Sequence, residues 1–306
     1  MDRPAIVCVD SIIIDDIVLP DGATHMGVLG GGVTHAAAGV VVWGERPGIV
    51  AHVGRDLPGS IRARLARDFD VQGVIALDAP QARAWQVFEW DGRRTEIFRV
   101  DVLDPFLDDP PPEHIPAAYE AARGLHLLRP AGDVAGWRAR FPDAAILWEP
   151  TQQFMVEGRL PQFRAALPLV DVVSPNSLEA GLVYGLDDPA DLVRAMLDDG
   201  ARVVALRLGA DGSLLGGADQ PGLIRLPAIP VAQLVDQTGA GNAYCGGFLA
   251  GWLAAGGDLL AAACCGGVSA SFTIEVTGVL DPSTVQPAER ERRRAWLASR
   301  ATILSA

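Results

Sequence analysis

Short runs of β-branched residues alternate along this chain with alanine-, leucine- and arginine-rich stretches whose apolar positions recur at helical spacing. The runs at 6–14, 49–53, 124–128, 144–148, 169–174 and 203–208 are largely apolar, which predicts strands covered on both faces. The stretches at 34–42, 61–69 and 177–184 predict helices. Such alternation is the grammar of βαβ units and predicts an α/β protein, a mostly parallel sheet with helices on both faces. The first strand is expected to run up to Asp15 and Asp16, at the sheet edge where open α/β sheets bind ligands.

One segment departs from the alternation. Residues 84–90 and 94–100 are strand-like and flank Asp91-Gly92, a pair that supplies the positive φ of a tight turn, so an inserted β-hairpin is predicted. With polar residues between Trp85, Val87 and Phe88, it offers a face to cover a cleft or to clasp a second subunit in a homodimer. The proline-rich stretch 108–112 reads as a stiff connector back to the core. The apolar stretch 248–268 is interrupted by Gly251, Gly256, Gly257 and Asp258, which predicts two packed core helices and not a membrane span.

With 306 residues and 49% hydrophobic content the chain is long enough for one large α/β domain or two smaller ones. It contains no internal repeat, and a single domain over residues 1–306 is expected, with lid strands at about 12–29 and 84–100. A formal net charge of −13 argues against nucleic-acid or anionic membrane partners. Arg290 to Arg294 are interleaved with Glu291 and preceded by Glu289, the pattern of a solvated helix face. The chain has no lysine, which excludes Schiff-base chemistry and the lysine-bearing phosphate loop. Cys8, Cys245, Cys264 and Cys265 show neither metal spacing nor a disulfide framework, and the N-terminus lacks a secretion signal, so buried thiols in a cytoplasmic protein are expected.

Chemistry concentrates in Asp236-Gln237-Thr238-Gly239-Ala240-Gly241-Asn242 and the small residues that follow. A Gly-Ala-Gly turn entering a helix leaves backbone N–H groups open at the positive end of the helix dipole, which suits an anion. The stretch closely resembles the second signature of the ribokinase-like (PfkB) carbohydrate and nucleoside kinases, Asp-Thr-x-Gly-Ala-Gly-Asp, whose final Asp takes the proton of the attacking hydroxyl. Asn242 stands at that position. A carboxylate accepts a proton and an amide does not.

Weaker matches follow in family order. Gly30-Gly31-Gly32 with His35 is similar to the first signature, Gly-Gly-x-x-x-Asn, His35 replacing the Asn; a dinucleotide fingerprint fails because His35 falls where a third glycine is required. Asp15 matches the Asp that grips sugar hydroxyls better than Asp16 does, whereas Asp10 departs from the family's usual Gly. The turn 53–59 resembles Gly-x-Asp-x-x-Gly, and Asn176 with Glu179 resembles Asn-x-x-Glu. Arg207-Leu208-Gly209-Ala210-Asp211-Gly212 resembles Thr-Leu-Gly-x-x-Gly with Arg207 for Thr, and Glu149-Pro150 takes the place of Asp-Pro. Alone, each of these reads as an ordinary turn, cap or loop.

The resemblance implies a ribokinase-like fold and an ATP- and Mg2+-dependent kinase for a small sugar-like or nucleoside substrate. Asp15, Gly31, Gly32 and His35 would hold the acceptor. Gly239, Ala240 and Gly241 would stabilise the transferring phosphoryl group, and Asn242 would position the hydroxyl. Asn176, Arg207, Gly209 and Gly212 would serve the nucleotide, and Glu149, Glu179 and Asp236 the metal. Asp236 and Thr238 also match positions near the potassium site of some members. Two other readings stay open: a non-catalytic binder on the same fold, and a glycoside hydrolase using Asp15 and Glu149, which leaves the Gly-Ala-Gly cradle unexplained.

Overall fold

The computed structural model describes residues 3–90, 94–99 and 110–304. The chain opens with β1 (Ile6–Val9), β2 (Ile13–Val18), β3 (Thr24–Gly30), α1 (Gly32–Val41), β4 (Gly48–Val53), α2 (Gly59–Asp68), β5 (Asp70–Ala76), β6 (Arg83–Phe88) and β7 (Arg94–Phe98). It continues through β8 (Gly124–Arg129), α3 (Ala131–Arg140), β9 (Ala145–Pro150), α4 (Leu160–Ala166), β10 (Val172–Val173), α5 (Ser177–Tyr184) and α6 (Pro189–Asp198). It ends with β11 (Val203–Arg207), β12 (Ser213–Gly217), β13 (Leu223–Leu226), α7 (Ala240–Ala254), α8 (Leu259–Thr273), α9 (Pro287–Ala298) and β14 (Thr302–Leu304).

The large sheet has the order β14-β13-β12-β11-β10-β9-β8-β1-β4-β5. From β5 to β11 its pairings are parallel, and β12, β13 and β14 add an antiparallel edge. β1 shows why helices cover both faces. Its side chains alternate, and all four are buried. Ile6 and Cys8 enter a core with α1, α7 and α8, whereas Val7 and Val9 enter a second core with α3, α4 and α6. A strand in this position must be apolar throughout, which is why it reads as an unbroken run.

The first apolar run nonetheless does not form one strand. It breaks after Val9, and Asp15 and Asp16 belong to β2 in a separate small sheet of order β3-β2-β6-β7. The strand-edge position expected for these acids is therefore corrected: apolar periodicity continues across the break because both segments are buried, although in different sheets. In the small sheet β2 pairs antiparallel with β3 and parallel with β6, and β6 pairs antiparallel with β7. The paired strands of the expected hairpin are present, while its Asp91-Gly92 turn and residues 100–109 lie outside the described residues.

Asp16 holds this sheet together. It is fully buried, is bound by Arg83 at 2.8 Å and by Arg99, and accepts the Gly27 N–H at 2.8 Å. Burial pushes its carboxyl up, but these donors outweigh that and hold it at about 2.

Helix α7 is placed by bare glycines. A Cβ at Gly246 would come closer than 3.0 Å to the Ala36 backbone of α1, and one at Gly39 of α1 closer than 3.0 Å to the Ala243 backbone. Across the other side, Gly251 faces Cys265 and Gly266 faces Tyr244 in the same way, so α1, α7 and α8 meet nearly backbone to backbone. The expected pair of core helices around Gly256-Gly257 is thus observed. Among the described residues no helix is long and apolar enough to cross a membrane. All four cysteines are buried, and burial pushes each thiol up. On α9, Arg292 and Arg294 form exposed ion pairs with Glu289 and Glu291, as their spacing predicts, but Arg293 turns inward to Glu275 and the Ser271 hydroxyl.

Candidate active site

A cavity of about 1270 Å³ lies where β1, β8, β9 and β11 end, with the small sheet forming part of its wall. Open α/β sheets collect ligands at this edge because loops and helix N-termini converge there. The cavity is lined by residues of almost every motif singled out above, including Asp15, His35, Glu149, Asn176, Arg207 and Gly239–Asn242.

The turn before α7 is built by Asp236 and Gly239. Asp236 is buried and spends one carboxylate oxygen on the Thr238 N–H and the other on the Gly278 N–H, both at 2.9 Å. Gly239 then takes the left-handed conformation, φ 73°, as the N-cap, a position where a side chain would run into the His35 ring. The Ala240 N–H turns back to the Gln237 carbonyl at 3.3 Å. Among the described residues nothing accepts from the N–H groups of Gly239, Gly241 and Asn242. Three open donors at the positive end of a 15-residue helix form an anion site facing the cavity.

Beside it lies a buried polar network. Glu149, at the end of β9, accepts Arg207 Nη1 at 2.6 Å on one oxygen, and His126 Nε2 at 2.9 Å and Asn242 Nδ2 at 3.1 Å on the other. Arg207 Nη2 also donates to the Ser174 carbonyl at 2.9 Å. Burial alone would push the Glu149 carboxyl up; Arg207 first, then His126 and Asn242, overcome this and hold it at about 2. Arg207 fills the space that a side chain at Gly241 would need, so the guanidinium lies against the anion site. His126, Glu149 and Cys245 approach within 4.8 Å of one another, and the Arg207 guanidinium is the cation paired with the carboxylate in this network.

The three acids matched to metal positions differ in what they have left to offer. Both oxygens of Glu149 and of Asp236 are engaged as described. Glu179 lines the cavity; burial raises its carboxyl first, Arg207 opposes this, and Glu149 adds to it. A half-buried acid short of positive charge fits a cation, and Glu179 would hold hydrated magnesium here. Asn176 caps α5 by accepting the Glu179 N–H at 2.8 Å. Gly209 and Gly212 both have positive φ and form the wall below Arg207.

At the small-sheet end Asp15 is buried and accepts Gln86 Nε2 at 2.9 Å, and the same nitrogen reaches Glu96 at 2.8 Å. Gly30 is bare because Asp15 occupies its side-chain position. Gly31, φ 97°, brings the backbone against Ser11 and Ile13 at the start of α1. His126, Gln86 and Glu96 were not singled out from sequence. A lone polar residue inside Leu125–Leu128 was the available signal for His126, but its partner is 23 residues away on the next strand.

Residues 145–286 match the sequence model of the pfkB family carbohydrate kinases. A cytidine kinase from Thermococcus kodakarensis is 27% identical over 81% of this chain and 88% of its own length. Among solved structures, an E. coli protein assigned as ribokinase II, in complex with ATP and Mg2+, superposes with a TM-score of 0.75 at 18% identity, covering 96% of this chain and 99% of that one. A fructokinase from Vibrio cholerae O395, bound to fructose, ADP and calcium ion, gives 0.75 at 20% identity over 97% and 100%.

Proposed function

We propose that this chain, a ribokinase-like protein of the PfkB family, transfers the terminal phosphoryl group of ATP to a hydroxyl of a small sugar-like or nucleoside substrate. The observation that carries this reading is the set of open amides at Gly239, Gly241 and Asn242 facing a ligand-sized cavity. Asp15, Gly31, Gly32 and His35 lie together on the side of the small sheet and α1, where they would hold the acceptor. Arg207, Gly209, Gly212, Asn176 and Glu179 line the cavity at the end of β11 and the start of α5, where they would meet the nucleotide. Magnesium, held through Glu179, would neutralise charge on the phosphates when bound.

Asn242 works as a positioning group. Its NH2 donates to Glu149, so its carbonyl oxygen is left to accept the substrate hydroxyl's hydrogen bond. Losing a carboxylate at this point costs roughly 10² to 10⁴ in rate if nothing replaces it, while the amide cradle remains. A coupled assay of ADP release over a sugar and nucleoside panel tests the reading, and transfer by the unaltered protein is expected. A second reading, binding without turnover, is favoured by the engagement of Glu149 and Arg207 with each other; calorimetry showing ATP and sugar binding beside a blank panel would establish it instead.

Asn242→Asp is expected to place two carboxylates in contact at Glu149 Oε2. One of the pair should then hold a proton at neutral pH, its affinity raised by the like charge. The variant should lose about 1–3 kcal/mol at pH 8 and recover as the pH falls and the pair takes up its proton, read by denaturant melts at both pH values.

A further inference from the structure

We infer that Asp10 supplies the carboxylate that position 242 lacks, and accepts the proton of the substrate hydroxyl. The inference rests on the kinase reading above. Asp10 follows β1 directly, is buried at 8% exposure, and lines the cavity. Its position relative to Asn242 is set by Gly32, the first residue of α1. A Cβ built on Gly32 would come closer than 3.0 Å to Asp10 Oδ2 and 3.3 Å from Asn242 Nδ2. The carboxylate and the amide therefore meet over the same bare glycine, Asp10 from the strand end and Asn242 from the helix that carries the anion site.

The other acids of the cavity stand at other points of it. Glu149 accepts from Arg207, His126 and Asn242. Asp15 accepts Gln86, which also ties down Glu96. Glu179 sits at the start of α5. Asp10 is the acid beside the point where the hydroxyl, held by the Asn242 carbonyl, would face a phosphoryl group on the amides of Gly239 and Gly241. The two departures from the family pattern, Asp10 for Gly and Asn242 for Asp, then form a single exchange: the carboxylate moves from helix to strand, and the amide left on the helix avoids a second negative charge against Glu149.

In the step, the acceptor oxygen forms a bond to the γ-phosphorus as the bond from that phosphorus to the β–γ bridging oxygen breaks. ADP leaves with the electron pair, and the hydroxyl proton passes to an Asp10 oxygen and later to solvent.

Asp10→Asn is nearly isosteric and keeps the fold within reach of a melting-curve check. It is expected to lower kcat by roughly 10² to 10⁴ while leaving the KM for ATP and for the acceptor within a few-fold. Asp10→Ala is expected to regain at least tenfold of its lost rate on addition of formate, which can enter the vacated space and act as the base. Asn242→Ala, which keeps Asp10, should lose less than Asp10→Asn. An Asp10→Asn variant with kcat within threefold of the unaltered protein, or with the whole loss in acceptor KM, overturns the assignment and leaves the kinase reading standing. A blank panel for every variant including the unaltered protein overturns both.

Discussion

Arg207→Met should destabilise the protein by about 3–5 kcal/mol at pH 7, because it leaves the Glu149 carboxylate buried without its guanidinium. The His126 and Asn242 donors remain, which favours the lower end of that range. The pH dependence separates this cause from lost packing. In the intact protein the Glu149 carboxyl is held at about 2 against an ordinary 4.5, so the folded state binds the proton less readily than the unfolded chain. That stabilisation is complete above pH 4.5 and disappears as the pH falls toward 2. Without Arg207, burial dominates and the carboxyl should rise, so the variant gains relative stability in acid. Urea melts at pH 7 and pH 4 should show the gap between the two proteins shrinking; a gap that stays constant would mean Arg207 acts by packing alone. The double variant Glu149→Met with Arg207→Met should recover most of the loss, since replacing both partners removes the buried charge altogether.

Gly246→Ala should cost about 2 kcal/mol and also impair catalysis, although the residue touches no ligand. Alanine gains up to about 1 kcal/mol over glycine within a helix. Against this, the new methyl would press on the Ala36 backbone of α1, which cannot rotate away, and overpacking of this kind costs roughly 1–3 kcal/mol with the upper end expected for a backbone clash. The clash wins. Relief requires α7 to move from α1, and these two helices carry the two halves of the site: Gly239 to Asn242 begin α7, and Gly32 and His35 begin α1. Thermal melts with kcat and KM of the same preparations check both effects. Gly59→Ala at the start of α2 is the control, because its Cβ would meet nothing within 4 Å, and it should be neutral or slightly stabilising. A Gly246→Ala protein as stable and active as that control would show that the helix seam has room to spare.

Periodicity was sufficient for the layered α/β fold. A strand covered on both faces must be apolar at successive positions, so β1, β4, β8, β9 and β11 announce themselves as runs. The same rule misled at residues 6–14, since burial in two different sheets looks like burial in one. The anion cradle was also legible, because glycine spacing before a helix has a local geometric meaning that needs no distant partner. Asp15 and Asp16 show where locality ends. Identical neighbours in sequence point to opposite faces of β2, so one meets Gln86 at the cavity and the other disappears under Arg83 and Arg99.

The local sequence, then, determined the alternation of elements, the amide turn at the head of α7, and the exchange of acid for amide at position 242. Tertiary structure alone decided that Glu149, His126, Arg207 and Asn242 share one buried network, and that Asp10 and Asn242 converge over Gly32. Charge pairing in a low-dielectric interior depends on which strand ends are brought side by side, and that is set by the packing of the whole sheet, which no short stretch of residues encodes.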